Sequence, residues 1–282
     1  MSKPMPLHDF RAVRITLESA DFAGGEGEPD PPPSDPVVPD TWLGITGLAD
    51  DVAIRTSDHS GKALGEVYAL RPLWLAAIGD EADALSDPML DAGADLQSSM
   101  FSALHGYYRA GFSALRSIVE LMAVGASGTF VKNGQLYADW RTGTAEFSFG
   151  RACDLLSTEP MLLSFNHELQ KSGQSLFDAK DKTRGLAGGH ARQWYGELCT
   201  YAHSRPGFTD TDLWSSNGPI YVPEVFSAWH RACLHTFSLC AVLVRLARPQ
   251  ADRSEVAALF TDRDGIVPEE LRRAFALVSA LK

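Results

Sequence analysis

The sequence predicts a mainly α-helical protein: a helical bundle preceded by a less regular N-terminal region with a few short strands. Three observations lead there. From residue 95 onward, apolar residues recur at spacings of three and four, the period of a helix with one buried face. Two Pro-Glu pairs, Pro223-Glu224 and Pro268-Glu269, open apolar runs as helix starts do. Residues 24–40 are dominated by Pro, Gly and acids, a composition that builds no core and reads as a linker. The chain therefore divides into an irregular region, 1–95, and an all-helical bundle, 96–282.

Taken in order, residues 10–18 alternate. Val13, Ile15 and Leu17 fall on one side and Arg14, Thr16 and Glu18 on the other, as in a half-buried strand. Val52, Ile54 and Thr56 repeat that alternation, and Asp58-His59-Ser60-Gly61 has turn composition. A helix is predicted from Asp95 to Val124, ended by the stretch Gly125 to Gly134, where Asn133-Gly134 is a turn signal. Shorter helices follow at 145–157, 159–171 and 189–203. Residues 205–223 are rich in turn residues. A long helix spans 223–247, stopped by Pro249, and a last one spans 268–281.

Each principal helix has a face. On the 95–124 helix, Ser102, His105, Arg109, Ser113, Arg116 and Glu120 form a polar stripe; Met100, Leu104, Tyr107, Gly111, Leu115, Ile118 and Met122 lie opposite as core. Arg116 and Glu120 stand four apart and can pair. On the 189–203 helix, Trp194, Leu198 and Tyr201 face the core, while Arg192, Gly196, Cys199 and His203 share the other side. The 223–247 helix is apolar nearly all round, with a thin polar strip of Arg231, His235, Ser238 and Arg245, and reads as the buried centre of the bundle.

The 282 residues are 45% hydrophobic, enough for a sizeable core, and carry a net charge of −11. An acidic chain disfavours broad binding to phosphate backbones. Four scattered cysteines make no disulfide framework, and no apolar run marks a signal peptide or a membrane span. The expected setting is cytoplasmic, without a membrane.

The candidate residues follow from the stripes. His203 closes a helix beside the break at Arg205-Pro206-Gly207, where an imidazole is exposed and tunable. His105 and Arg109 suit an anion, with Glu120 orienting Arg116. Cys199 and His203 are adjacent on one face, the arrangement that activates a thiolate, but a structural cysteine explains the pair more simply. Cys199-x3-His203 and His230-x2-Cys233 have zinc-ligand spacing, yet an aromatic-rich face accounts for the second pair as core. No metal and no cofactor are expected. Gly188-Gly189 before a helix is a faint anion signal. Asp210-x-Asp212 reads as turn and capping residues. Nucleotide-binding glycine loops, His-Glu-x-x-His and Gly-x-Ser-x-Gly are absent.

Residues 103–121 (ALHGYYRAGFSALRSIVEL) and 195–207 (YGELCTYAHSRPG) resemble two helices of bacterial HEPN-like families, with an Ala-x-x-x-Leu-Arg-x-x-x-Glu-type pattern and a Tyr-x-x-Leu-x-x-x-x-His ending. The resemblance implies an all-helical bundle. It also implies, for many members, metal-independent ribonuclease activity in defence systems, often in homodimers with the site at the seam. The nuclease members place an arginine shortly before the histidine. Here Gly196, Glu197 and Leu198 occupy those positions, and Arg192 is about 16 Å from His203 along the helix. The expected function is therefore a non-enzymatic HEPN-like binding or regulatory protein in bacterial stress or phage defence. His105, Arg109, Arg116 and Glu120 would bind its ligand. The alternative is an endoribonuclease in which His203 is catalytic and Arg205 or Arg109 grips phosphate. Expected partners are a second copy, a protein or RNA.

Overall fold

A computed structural model describes residues 39–79, 82–178, 188–202, 218–250, 253–261 and 265–280. Residues 43–282 form one compact unit; of the unit before it, 1–42, only the first turn of a helix is described. The described residues contain ten α-helices and no strand. They are α1 (Pro39–Ile78), α2 (Ser86–Leu104), α3 (Tyr108–Gly128), α4 (Gly134–Arg141) and α5 (Phe149–Ser157). The rest are α6 (Pro160–Gln170), α7 (Gly189–Ala202), α8 (Pro223–Ala247), α9 (Arg253–Leu259) and α10 (Glu269–Ala280). The mainly α reading holds. The strand expected at 10–18 lies outside the described residues.

Helix α1 corrects the reading of 52–56 as strand-like. Val52 and Thr56 are buried while Ile54 is 61% exposed. A spacing of two, seen over five residues, coincides with the i, i+4 spacing of a helix. The longer pattern decides: Ala49, Val52, Thr56, Val67, Leu70, Trp74 and Ala77 are buried along one side. Thr56 Oγ1 donates to the Val52 carbonyl at 2.8 Å, a bond that only a helical turn permits. The expected turn at 58–61 survives as a kink. Ser60 leaves helical geometry (φ −130°, ψ 17°), a bend of the kind that Gly/Ser pairs produce.

The helix predicted over 95–124 is two helices. His105 caps α2, and Gly106 follows in the left-handed region (φ 80°). The Gly106 N–H donates to the Ala103 carbonyl and the Tyr107 N–H to the Ser102 carbonyl, closing α2 with the paired bonds of a glycine-terminated helix. A Cβ at Gly106 would lie 2.3 Å from the Ile220 carbonyl oxygen, so glycine is required here by φ and by space. The stretch Gly125 to Gly134 is also less open than predicted. Helix α3 runs to Gly128, and Asn133 precedes α4 as a buried residue whose Nδ2 donates to the Ser127 carbonyl at 3.0 Å.

Helix α3 is the hub, packing on α2, α4, α5, α7 and α8. Its buried residues include Tyr108, Phe112, Leu115, Ile118, Val119 and Met122. Helix α8 is sheathed on nearly all sides, as its apolar sequence predicts, by α3, α9 and α10. One hydroxyl ties three of these elements. Ser99 Oγ on α2 donates to the Gly111 carbonyl on α3 (2.8 Å) and accepts from Trp229 Nε1 on α8 (2.9 Å). All of this is buried. No helix among the described residues is long and apolar enough to cross a membrane.

Ser99→Ala leaves the Trp229 indole N–H buried without an acceptor. The expected cost is about 1–3 kcal/mol of unfolding free energy in urea, with the fold retained. A loss under about 0.5 kcal/mol would mean that the hydroxyl is not the tie described here.

Candidate functional site

The predicted site divides. His203 and Arg205 lie outside the described residues. The break at Gly106 places His105 at the end of α2 and Arg109 on α3, so the single polar stripe predicted for one continuous helix does not exist. The His105 Nδ1–H donates to the Phe101 carbonyl at 2.8 Å, and its ring packs 4.1 Å from that of Phe101. Arg116 and Glu120, four apart on unbroken α3, do pair (3.4 Å).

Two residues of α7 complete that pair. The Tyr195 hydroxyl lies against Arg116 Nη2 and donates to Glu120 Oε2 at 3.1 Å. The Arg116 Nε–H points to Cys199 Sγ at 3.2 Å, and its guanidinium carbon sits 4.8 Å from the Tyr195 ring centre. Phe149 stacks on that ring at 4.0 Å. Burial pushes the Tyr195 phenol well above its usual range, and Glu120 pushes it further. Burial works against the Arg116 charge, but its bond to Cys199 and the nearby Tyr195 and Glu120 raise its pKa on balance. The cluster thus holds a charged arginine whose Nε and Nη2 already face Cys199, Tyr195 and Glu120. It ties α3 to α7.

A second cluster was not foreseen. His190, at the start of α7, and His235, in the predicted polar strip of α8, meet Nε2 to Nε2 at 2.9 Å. Only one of the two nitrogens can carry a proton, so the rings adopt opposite tautomers at this contact. Trp194 stacks on His235 at 3.8 Å, and its indole N–H donates to Thr236 Oγ1 at 3.1 Å. Burial lowers both histidine pKa values; His190 lowers that of His235 further, to about 3, while Glu270 partly offsets the shift at His190. The Gly188-Gly189 start of α7 is not an open anion cradle. The His190 and Ala191 N–H groups donate to the Ser175 and Leu176 carbonyls.

An apolar opening lies elsewhere, between α1 and α2. It is a groove of about 560 Å³ lined by Leu64, Tyr68, Met100, Phe101 and Leu104, with Gly61, Gly65 and Gln97. Arg71 is the one charged residue of its lining. Met100 and Leu104, predicted as core, are half-buried walls of this groove. Eight of the nine large apolar side chains exposed among the described residues belong to α1 and α2, including Tyr68 (61%) and Phe101 (63%). Sequence reasoning missed the groove because one wall was assigned to the irregular region.

Of the zinc-spaced residues, His203 lies outside the described residues and the others do not form a ligand set among them. His230 Nε2 lies 3.1 Å from Glu66 Oε2, and burial pushes the Cys233 thiol up. Among the described residues no three His, Cys, Asp or Glu side chains converge on one point. In comparisons with known proteins, no family model, no curated protein and no solved structure matches the chain.

The histidine pair makes stability depend on pH. The unfolded imidazoles titrate near 6.5, the folded ones lower, so below about pH 6.5 the unfolded chain binds more protons. Stability is full above that pH and falls as pH drops toward 3. His235→Gln is expected to flatten the fall in melting temperature between pH 6.5 and 5; an unchanged profile would assign the loss to other groups.

Proposed function

We propose that the chain is a non-enzymatic helical binding protein whose recognition surface is the apolar groove between α1 and α2. One observation carries this reading: the walls of the groove are apolar apart from Gln97 and Arg71. Its volume of about 560 Å³ lies in the range of ligand-binding clefts. Two walls of helix, apolar with one cation, suit an amphipathic helix of a partner protein. Such a helix lays its apolar face into the groove and sets an acidic residue against Arg71. The groove holds no acid–base pair that would do chemistry. The resemblance of 103–121 and 195–207 to HEPN-like helices adds a setting, that of a regulatory component in bacterial stress or phage defence.

The groove is tested with 1-anilinonaphthalene-8-sulfonate, an apolar aromatic anion. The native protein is expected to bind it with enhanced fluorescence, and Phe101→Glu to weaken binding about tenfold or more, as loss of a central aromatic anchor does. Equal binding by both would overturn the assignment of the groove. Incubation with total cellular RNA without metal tests the non-enzymatic half. RNA is expected to stay intact; cleavage by the native protein that His203→Ala abolishes would replace this reading with the ribonuclease one.

A further inference from the structure

The His190–His235 contact has a geometry that a hydrogen bond alone does not exhaust. The two Nε2 atoms are 2.9 Å apart, the ring centres 5.1 Å, and the ring planes differ by 23°. The centres are about as far apart as that nitrogen contact allows. The rings therefore lie edge to edge, near one plane, with each Nε2 aimed at the other. An unprotonated imidazole nitrogen carries its lone pair in the ring plane, directed away from the ring centre. Two such lone pairs would share one line here. Burial lowers both pKa values and keeps the rings neutral, the form that binds a metal. His190 also lines a polar pocket of about 210 Å³ at the start of α7, with Gln174, Ser175, Asp178, Gln193 and Glu270. The charged side chains of that lining, Asp178 and Glu270, are both acidic and draw in cations. The Ser175 hydroxyl is buried and has no hydrogen-bond partner among the described residues, so the lining has polar capacity that these residues leave unused.

We propose that His190 and His235 bind one copper(I) ion between their Nε2 atoms, in linear two-coordination, with the pocket at the start of α7 as its entry. The ligand count selects the ion. Among the described residues no three His, Cys, Asp or Glu side chains converge on one point, which leaves a tetrahedral zinc site incomplete. A monovalent ion with a filled d shell accepts two collinear nitrogen donors and demands no third. Its single charge also costs less to bury than that of a divalent ion. Binding releases no proton: the ring that donates its Nε2–H takes the Nδ1–H tautomer, and both Nε2 lone pairs meet the ion. Two metal–nitrogen bonds of about 2 Å set the nitrogens about 4 Å apart, roughly 1 Å more than in the hydrogen-bonded pair. His235 is held by the Trp194 ring stacked on it at 3.8 Å, whereas half-buried His190 borders the pocket and has room to draw back.

No residue of this site lines the groove, so the inference is independent of the proposed function. The test is anaerobic titration of the full chain with copper(I) against a chromogenic copper(I) chelator, followed by X-ray absorption at the copper edge. The native protein is expected to take up one ion, with two nitrogen neighbours and no sulfur. His190→Gln and His235→Gln are each expected to weaken binding about tenfold or more, while exposed His167→Gln leaves it unchanged. Glutamine still offers the remaining imidazole a hydrogen bond, and circular dichroism checks that the helices are kept. Copper(I) is also expected to raise the melting temperature of the native protein but not of His190→Gln. A sulfur neighbour would move the ion to a cysteine such as Cys199 and overturn the inference. So would an absence of binding, or equal affinity in a folded His190→Gln.

Discussion

The arrangement depends on how closely three helices meet at Ser99. Its hydroxyl bridges the Gly111 carbonyl and the Trp229 indole N–H. A Cβ at Gly111 would come within 3.2 Å of Trp229, so the glycine sets the distance at which α8 packs on α3. The functional surfaces are carried by these same helices. Arg116 and Glu120 lie one and two turns beyond Gly111 on α3; His235 lies beyond Trp229 on α8; Phe101 lies two residues beyond Ser99 on α2. A buried hydrogen bond of this kind contributes modestly to stability. Its loss leaves a desolvated donor, and that penalty selects one packing over its neighbours.

A second tie fixes the groove. Arg248, 4% exposed, forks onto both carboxylate oxygens of Asp83 (2.8 and 2.6 Å), and also donates to the Ile78 carbonyl and to Ser86 Oγ. Burial alone would raise the Asp83 pKa, but the hydrogen bonds from Arg248 and the Leu85 N–H outweigh it and lower it. A planar fork on a carboxylate has little angular freedom. It joins the end of α8 to the turn between α1 and α2. Trp74 adds a bond to the Met89 carbonyl at 2.7 Å. With α1 and α2 pinned at this end, the groove lies further along them, between residues 61–71 and 97–104.

Periodicity was legible where it ran long and unbroken. The 223–247 helix was placed to the residue, since an apolar run with a proline at each end leaves few alternatives. The break inside 95–124 had a signal, His105-Gly106, that the continuous pattern of apolar residues on both sides overrode. The 39–78 helix was lost because its apolar residues are diluted by an exposed face that is itself partly apolar, so no clean amphipathic contrast exists. At the candidate site the same limit applies. Arg116 and Glu120 are neighbours along one helix and were paired from spacing alone. Their partners Tyr195 and Cys199, and the His190–His235 contact, join residues 45 to 83 positions apart. Such contacts are fixed by tertiary packing, which no local pattern encodes.

The distribution of charge separates the candidate partners. Binding to a phosphate backbone needs cations whose donors are free and whose surroundings are positive. Arg116 has Glu120, Tyr195 and Cys199 around it, and Arg248 has Asp83. The chain as a whole carries −11. The groove between α1 and α2 is apolar apart from Gln97 and Arg71. Apolar side chains there lose nothing electrostatically when water leaves, and a lone cation in such a setting discriminates between partners more than it attracts them. On the proposed function, these terms suit a helix with a matching acid better than a polyanion. Of the polar residues singled out in the sequence, Arg116 and Glu120 are spent on each other and on α7.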